Sequence, residues 1–235
     1  MRAVRTRLRS RSRSMVTSIV SIESDPRPQQ PAVRSPRFYR EPVSDSVGPS
    51  DVVSMRVQVT ADALAVHELV ADAFGETVVA DLDAALARRA GGTAYVATTP
   101  HGLVGHVRLT WGWLDTMRAL VDVLVLSPLS VAPAWQRRGI GRALVARATA
   151  AAEELGAPLL FLEGDPRYYS RSGFEPATRI DVSRPSVRIP DPAFQVHRLG
   201  GYETWMSGAM VYPDTFWEFD CVGLRDHDGS RPGSG

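Results

Sequence analysis

A glycine-bearing loop between an apolar, strand-like segment and a helical segment is the clearest sign of chemistry in this 235-residue chain. It runs from Gln136 to Arg142, directly after the apolar residues 129–131 and a short linker. The first N–H groups of a helix have no partner inside it, and the helix dipole places about half a positive charge there, so main chain alone can hold a pyrophosphate. Gly139 and Gly141 would let that main chain approach a ligand closely. Side chains on the rim would add charge-assisted hydrogen bonds from Arg137, Arg138 and Arg142.

Other phosphate-binding loops do not fit these residues. A dinucleotide-binding fingerprint needs a third glycine where Leu144 stands, and a P-loop needs a lysine. All 27 basic residues are arginine, which also removes Schiff-base and other covalent lysine chemistry. A purely structural use of the two glycines, to shape a tight turn between strand and helix, stays open at this stage.

Composition predicts a soluble, cytoplasmic protein that uses no metal. The single cysteine, Cys221, cannot form an intramolecular disulfide, and the five histidines lack metal-ligand spacing. No apolar run approaches about 18 residues, the length at which a membrane span becomes a candidate. The arginine-rich start also lacks the apolar centre of a secretory signal.

Charge and composition divide the chain into three regions. Residues 1–54 carry ten arginines against five acidic residues, with much Ser and Pro, and predict a disordered leader or sequence upstream of a true start at Met55. The arginine-rich run 5–14 leaves a nucleic-acid or targeting patch open. Residues 55–223 are predicted to form one folded domain and 224–235 a flexible tail. Because residues 55–235 hold 17 arginines and 21 acidic residues, the folded part offers no broad basic face for nucleic acid.

Hydrophobic spacing predicts alternating strands and helices from Met55 onward. A strand at 56–59 leads to Thr60, a candidate N-cap, and to a helix whose buried face comprises Ala63, Val66, Val70 and Phe74. A second helix is predicted at about 77–90. Strands joined by short connections, and therefore antiparallel, are predicted at 93–98, 104–110 and 119–126, with a turn at Gly112.

The following segment reads as a β-α-β unit. A strand at 129–131, a helix at 140–155 and a strand at 158–162 predict a parallel strand pair with a right-handed crossover. A short helix is predicted after Pro166. Two more strands are predicted at 193–198 and 204–211.

Two motifs resemble those of the GNAT superfamily of N-acetyltransferases. The family loop reads Gln/Arg-x-x-Gly-x-Gly/Ala after a strand ending in Leu-x-Val-x-Pro, and the matching residues are Leu129, Val131, Pro133, Gln136, Gly139 and Gly141. Downstream, the family pattern of an aromatic, Tyr, three residues and Gly-Phe matches Tyr168 to Phe174. The entry Gly164-Asp165-Pro166 is similar to one branch of small bacterial predicted N-acetyltransferases, whereas the commoner family pattern has an Asn and a longer helix there.

The resemblance implies an α/β (α+β) GNAT fold over about 55–223. Such a fold has a mixed, mostly antiparallel central sheet with a splayed parallel strand pair and flanking helices. The implied cosubstrate is acetyl-CoA, with its pantetheine paired to the main chain of Leu129 and Val131. Its pyrophosphate would lie on the loop residues Gln136, Arg137, Arg138, Gly139, Ile140, Gly141 and Arg142. The implied chemistry is direct attack by an amine on the thioester, with a main-chain N–H near Val131 facing the oxyanion and Tyr169 protonating the leaving thiolate.

Several roles stay open in the sequence. Tyr169 could instead be an aromatic packed beneath the cofactor, and the proton acceptor could be Glu163, Asp122 or His106. The acceptor could be a small-molecule amine or a peptide amine. Five aromatic residues could shape the acceptor pocket, fill the core or form a homodimer contact: Trp111, Trp113, Trp205, Phe216 and Trp217. The alternative to an enzyme is a catalytically inactive acyl-CoA-binding domain that acts as a sensor or partner module.

Overall fold

The computed structural model describes residues 52–223. The predicted leader, apart from its last three residues, and the predicted tail at 224–235 lie outside the described residues. In chain order the strands are β1 Ser54–Val57, β2 Thr93–Thr99, β3 Gly102–Thr116, β4 Leu120–Val131, β5 Leu159–Glu163, β6 Glu175–Pro176, β7 Val182–Ser183, β8 Phe194–Arg198 and β9 Gly208–Val211. The helices are α1 Ala63–Phe74, α2 Val78–Leu86, α3 Ile140–Glu154, α4 Pro166–Tyr169 and α5 Asp214–Glu218.

These strands form one mixed, mostly antiparallel sheet, as the resemblance implied. The order is β1-β2-β3-β4-β5-β8-β6, with β9 against the far end of β3 and β7 beside β9. Strand β4 runs parallel to β5, and β7 runs parallel to β9; the other strand pairs are antiparallel. The α/β fold class with flanking helices is therefore confirmed.

The long hairpin of β3 and β4 corrects two predictions. Gly112 is not a turn, because β3 continues through it to Thr116. A Cβ at this position would lie 3.1 Å from the Val211 carbonyl oxygen, so the glycine allows β9 to approach β3 closely. Residues 129–131 are not a separate strand either, since β4 extends from Leu120 through Ser127 and Pro128 to Val131.

The β3–β4 ladder contains a bulge that explains this misreading. Val107 pairs with Leu129 and Leu109 pairs with Leu126, so two residues of β4 stand opposite Arg108. A proline cannot donate to a ladder hydrogen bond and suits a bulge, where one residue stays unpaired. In the sequence, Pro128 therefore suggested a boundary between two strands, although β4 continues through it.

The start of α1 also differs from its prediction. Thr60 is not an N-cap but the first residue of a 3-10 turn that ends at Asp62. Asp62 accepts a hydrogen bond from the Val59 N–H at 2.8 Å and binds Arg56 through both carboxylate oxygens. These bonds fix the turn before α1, whose first N–H groups receive no bond from the Asp62 side chain. Ala63 is exposed rather than buried.

Both faces of the sheet are covered. Helix α3 packs on one face through small and branched side chains that include Leu144, Val145 and Ala148. Helices α1, α2 and α5 and the segments that carry Ile180, Ile189 and Met206 cover the other face. Fully burying one leucine or valine is worth roughly 1.5–3 kcal/mol, so α3 is held firmly at the end of β4.

Candidate active site

The parallel strands β4 and β5 separate at their carboxyl ends. They pair only at Leu124 with Leu160 and at Val125 with Phe161, while β4 continues to Val131 and β5 to Glu163. The Ala132 N–H donates to the Val104 carbonyl on β3. Because successive main-chain groups of a strand alternate in direction, those of Val131 and Leu129 face the gap between β4 and β5. The gap is therefore lined by main-chain groups able to pair with an extended ligand.

The loop after β4 leads into α3 through two left-handed residues. After a 3-10 turn at Pro133–Trp135, Arg137 has a φ of 61° and Gly139 a φ of 85°. No side chain of the described residues caps α3, which begins at Ile140, and a Cβ on Gly139 would have no described atom within 4 Å. The first turn of α3 thus has no side-chain cap among the described residues, and its unpaired N–H groups favour an anion.

The side chains of this loop have different roles. Gln136 donates from Nε2 to the Val131 carbonyl oxygen at 3.1 Å and so ties the loop to the end of β4. The Arg138 guanidinium lies 4.8 Å from the centre of the Trp135 ring. Arg137 and Arg142 are exposed beside it, so three cationic side chains surround the helix entrance. The structure brings all the predicted loop residues together, but Gln136 has an intramolecular partner that the sequence did not suggest.

Tyr169 lies in the core on the α3 side of the sheet. Asp165 accepts the Arg167 N–H at 2.9 Å and starts α4, and Tyr169 ends that helix with its ring fully buried. The ring packs edge-on against Tyr168 and Phe174. A Cβ on Gly164 would lie 2.4 Å from the Tyr169 ring, so this position must be glycine for the ring to fit.

The Tyr169 hydroxyl has no hydrogen-bond partner among residues 52–223. Burial raises the pKa of this phenol well above its ordinary value, and the neighbouring Tyr168 adds to the effect. A buried polar group without a partner is uncommon in proteins and calls for an explanation such as a ligand. The phenol stays protonated at neutral pH and is able to donate.

The three candidate proton acceptors lie in different environments. Asp122 is exposed and lies nine positions before Val131 on β4, a distance of roughly 30 Å along a strand. His106 is fully buried beneath α1 and α2, and burial lowers its pKa to about 4. Glu163 ends β5 at the gap itself and is also buried. Of the three, Glu163 alone adjoins the place where the strands separate.

Sequence reasoning missed the residues that surround Glu163. Tyr212, Arg188 and the main chain of Gly223 face its carboxyl group, and they come from three separate segments far along the chain. Neither a motif nor a spacing rule links them to Glu163 in the sequence. Only the tertiary structure brings these residues next to Glu163.

The predicted aromatic set does not form one pocket wall. Phe216 is fully buried in the core, and the Trp111 indole donates to the Gly91 carbonyl at 2.8 Å. The Arg118 guanidinium lies over Trp205. Trp217 is half exposed, and the Arg188 guanidinium lies 6.0 Å from its ring centre. Phe216 packs against Tyr212, with the ring centres 5.0 Å apart.

Two further properties concern the described residues as a whole. Within 52–223, no three His, Cys, Asp or Glu side chains are grouped so that they could hold a metal ion. None of the helices in that part of the chain is both long and apolar enough to cross a bilayer.

Known proteins share this arrangement. The sequence profile of the acetyltransferase (GNAT) domain matches residues 90–176, which include the strand pair, the loop and Tyr169. The Escherichia coli K12 protein YhbS, described as an uncharacterized N-acetyltransferase, is 31% identical over 128 residues, which span 53% of this chain and 74% of YhbS. The chain belongs to the GNAT family of N-acetyltransferases. A second relative from the same bacterium, YjhQ, is also described as an uncharacterized N-acetyltransferase and is 32% identical over 123 residues, or 49% of this chain and 65% of YjhQ.

Solved GNAT structures have the same fold. The crystal structure of Escherichia coli YhbS in complex with CoA superposes with a TM-score of 0.64 at 27% identity, covering 70% of this chain and 91% of that one. A GNAT acetyltransferase from Brucella melitensis in complex with acetyl-CoA gives a TM-score of 0.57 at 24% identity, over 70% and 98% of the two chains, and shows the fold alone. Membership of the branch with the Gly-Asp-Pro entry stays a prediction.

Proposed function

We propose that this protein transfers the acetyl group of acetyl-CoA to a primary amine, by direct attack in a ternary complex. The observation that carries the proposal is the gap between β4 and β5, which opens onto the uncapped entrance of α3. The similarity to YhbS, whose crystal structure contains CoA, supports the same cosubstrate here. The acceptor is a small-molecule or peptide amine.

The cofactor would be held mostly by main chain. Pantetheine would enter the gap as an additional strand and pair with the main-chain groups of Leu129 and Val131. The pyrophosphate would accept hydrogen bonds from the N–H groups of Gly139, Ile140 and Gly141, where the helix dipole favours negative charge. Arg137, Arg138 and Arg142 would add charge-assisted bonds from the rim.

The reaction then needs no protein nucleophile. The neutral amine attacks the thioester carbonyl carbon, and negative charge develops on the carbonyl oxygen near the Val131 N–H. Collapse of this intermediate expels the CoA thiolate. A protonated phenol beside the sulfur would supply the proton that the thiolate needs.

Tyr169 is the residue proposed for that proton transfer. Its hydroxyl is buried on the α3 side of the strands, protonated at neutral pH and without a partner among residues 52–223. A bound thioester sulfur would give this hydroxyl the partner that it lacks. The competing role, an aromatic that only packs beneath the cofactor, makes a different prediction for removal of the hydroxyl.

The proposal is tested by thiol release from acetyl-CoA in the presence of a panel of primary amines. We expect Tyr169→Phe to lower kcat by about 100-fold, the typical contribution of one acid, while the Kd for CoA stays unchanged. Tyr202→Phe, which removes a partly buried phenol elsewhere, is the matched control and should leave kcat unaltered.

Three outcomes are informative. Tight CoA binding without thiol release for any amine would favour the inactive acyl-CoA-binding domain over the enzyme. Full activity in Tyr169→Phe would assign the tyrosine to packing. Absence of measurable CoA binding to the unmodified protein would refute the proposed cofactor site.

A further inference from the structure

The carboxyl group of Glu163 is the most unusual buried group that the cofactor site does not use. Glu163 is the last residue of β5, two positions after the final β4–β5 pair at Phe161. Phe161 packs away from α3, whereas Leu162 packs toward it. By the alternation of a strand, Glu163 faces the side of the gap opposite Tyr169 and the α3 core.

This carboxyl group is buried and only partly satisfied. Only 9% of Glu163 is exposed, and its Oε1 has no hydrogen-bond partner among the described residues. The Tyr212 hydroxyl and the Gly223 N–H face the carboxyl group and lower its pKa as donors. A buried carboxylate oxygen without a partner points to a site for a polar ligand.

Two other segments lie beside the same carboxyl group. Arg188 donates from Nη1 to the Asp220 carboxylate at 3.0 Å, which joins the loop before β8 to the segment after α5. Gly223, with a φ of 65°, lies against the main chain of Arg188, where a Cβ would come within 2.7 Å of a carbonyl carbon. Cys221, two positions before Gly223, is partly buried.

The protonation behaviour of Glu163 suits a proton acceptor. Burial raises its pKa to about 7, and the Tyr212 hydroxyl, the Gly223 N–H and the positive charge of Arg188 limit that rise. A base works best when its pKa is near the operating pH, because it is then largely ionised yet still takes up a proton readily. Burial also raises the pKa of Tyr212 well above its ordinary value, so this phenol stays neutral and cannot compete as a base.

The charges at the mouth of this region are predominantly negative. Burial raises the pKa of the Cys221 thiol to about 11, and the carboxylates of Glu76, Asp220 and Glu163 raise it further. Three acidic groups thus surround one thiol, and Arg188 is already paired with one of them. This field attracts a cation and repels a ligand that carries a carboxylate.

We propose that the pocket formed by Glu163, Tyr212 and Cys221 binds the acceptor as a cationic primary alkylamine, and that Glu163 removes its proton before attack. This inference rests on the proposed acetyl transfer and adds the class of acceptor and the proton acceptor. The amine enters from the face opposite α3, past Glu76 on the α1–α2 connection and Asp220 after α5. It reaches the thioester carbonyl in the gap from that side.

The protons balance as follows. The alkylammonium gives one proton to the Glu163 carboxylate and attacks as the neutral amine, forming the new C–N bond. The C–S bond then breaks, and the departing thiolate takes the phenolic proton of Tyr169. A second proton leaves the nitrogen and replaces the one that Tyr169 gave up, and Glu163 releases its proton to solvent. The products are the acetamide, CoA as the free thiol and one proton.

The pH dependence of kcat/KM tests the role of Glu163. The alkylamine concentration is varied at saturating acetyl-CoA. We expect kcat/KM of the unmodified enzyme to rise with pH and to reach a plateau above about pH 8, because Glu163 is then ionised. In Glu163→Gln we expect kcat/KM to fall by about 100-fold at pH 7 and to keep rising toward the amine pKa near ~10.4, because only pre-formed neutral amine can react. The difference in kcat/KM between Glu163→Gln and the unmodified enzyme should therefore become smaller as pH rises.

Two controls separate this result from a loss of fold or cofactor. Glu68→Gln, an exposed change on α1, should match the unmodified enzyme. Glu163→Gln should bind CoA with unchanged Kd and should melt no earlier than the unmodified protein at pH 8, because the folded state disfavours ionised Glu163. A plateau near pH 8 that persists in Glu163→Gln would overturn the assignment. If the variant does not fold, a rise to pH 10 without a plateau in the unmodified enzyme would overturn it equally.

Acceptor class is tested with 1,5-diaminopentane, butylamine and glycine. We expect kcat/KM to decrease in that order, since positive charge is attracted and the carboxylate of glycine is repelled. Glu76→Gln should lower kcat/KM for the diamine by about threefold, the size expected for an exposed charge pair. Equal kcat/KM for the diamine and glycine would overturn the cationic-acceptor class. No thiol release with any amine would instead reject the acetyl transfer on which the inference rests.

Discussion

The two ends of α3 offer a matched pair of glycines for testing the cofactor site. Gly139, just before the helix, has a φ of 85°, and Gly156, just after it, has a φ of 76°. Neither position has a described atom within 4 Å of an added Cβ. Alanine at either position therefore meets the same backbone penalty and no steric clash. The positions differ in that only Gly139 adjoins the gap between β4 and β5.

The expected effects follow from that difference. A left-handed alanine costs roughly 1–2 kcal/mol, partly offset by about 0.4–1 kcal/mol from a less flexible unfolded chain. Both variants should thus lose on the order of 1 kcal/mol of unfolding free energy and melt about 2–4 °C earlier. At Gly139 the added methyl group would also displace a phosphate from the helix N–H groups. Losing one hydrogen bond to a charged group costs about 1.5–3 kcal/mol, so CoA affinity should fall by about 10-fold to 100-fold.

Isothermal titration calorimetry with CoA and thermal melting of the free proteins measure the two quantities. We expect Gly139→Ala and Gly156→Ala to have similar Tm values and only Gly139→Ala to have a raised Kd. Unchanged affinity in Gly139→Ala, or an equal loss in Gly156→Ala, would refute main-chain binding at the helix entrance.

Three further predictions concern the body of the fold. Arg108 is buried, and its Nε lies 2.6 Å from Asp83 Oδ1. Asp83→Asn leaves this guanidinium without its counter-charge and should lower the free energy of unfolding by about 3–5 kcal/mol in urea titrations. A loss below about 1 kcal/mol would contradict this. Burial lowers the pKa of His106 from 6.5 to about 4, so below pH 6.5 the unfolded chain binds a proton that the folded protein does not. The free energy of unfolding should therefore fall by about 3 kcal/mol as pH is lowered from 6.5 to 4. His106→Gln should make the free energy of unfolding less dependent on pH over this range. Gly105→Ala should weaken CoA binding, since its Cβ would lie 2.9 Å from a Leu144 methyl group and push the first turns of α3 away from β3; an unchanged Kd with an unchanged Tm would show that the core absorbs the methyl group.

Regular elements with a clean hydrophobic period were predictable from the sequence. Helix α3 begins at Ile140, the position predicted, because its apolar stripe and the preceding glycine are local signals. Predictions failed where a distant segment decides the outcome. Gly112 looked like a turn because β9, which packs against it, lies about a hundred residues downstream.

The strand-turn-helix unit around residues 136–142 was predictable for the same local reason. Gln136, Gly139 and Gly141 lie within that one unit, so the sequence alone placed them before and at the start of α3. That these residues bind CoA stays a prediction. The sequence did not indicate that Gln136 would use its amide on the Val131 carbonyl, since a side chain's partner depends on the path of the loop.

The surroundings of Glu163 were decided by tertiary structure alone. The sequence identified a carboxylate at the end of an apolar strand, and such a group is most often solvated. Its burial and its raised pKa come from the packing of Tyr212, Arg188 and Gly223, which three separate segments bring to one place. Desolvation acts through space rather than along the chain, so the sequence could indicate the start of α3 as a candidate anion site, whereas the raised pKa of Glu163 depends on the fold alone.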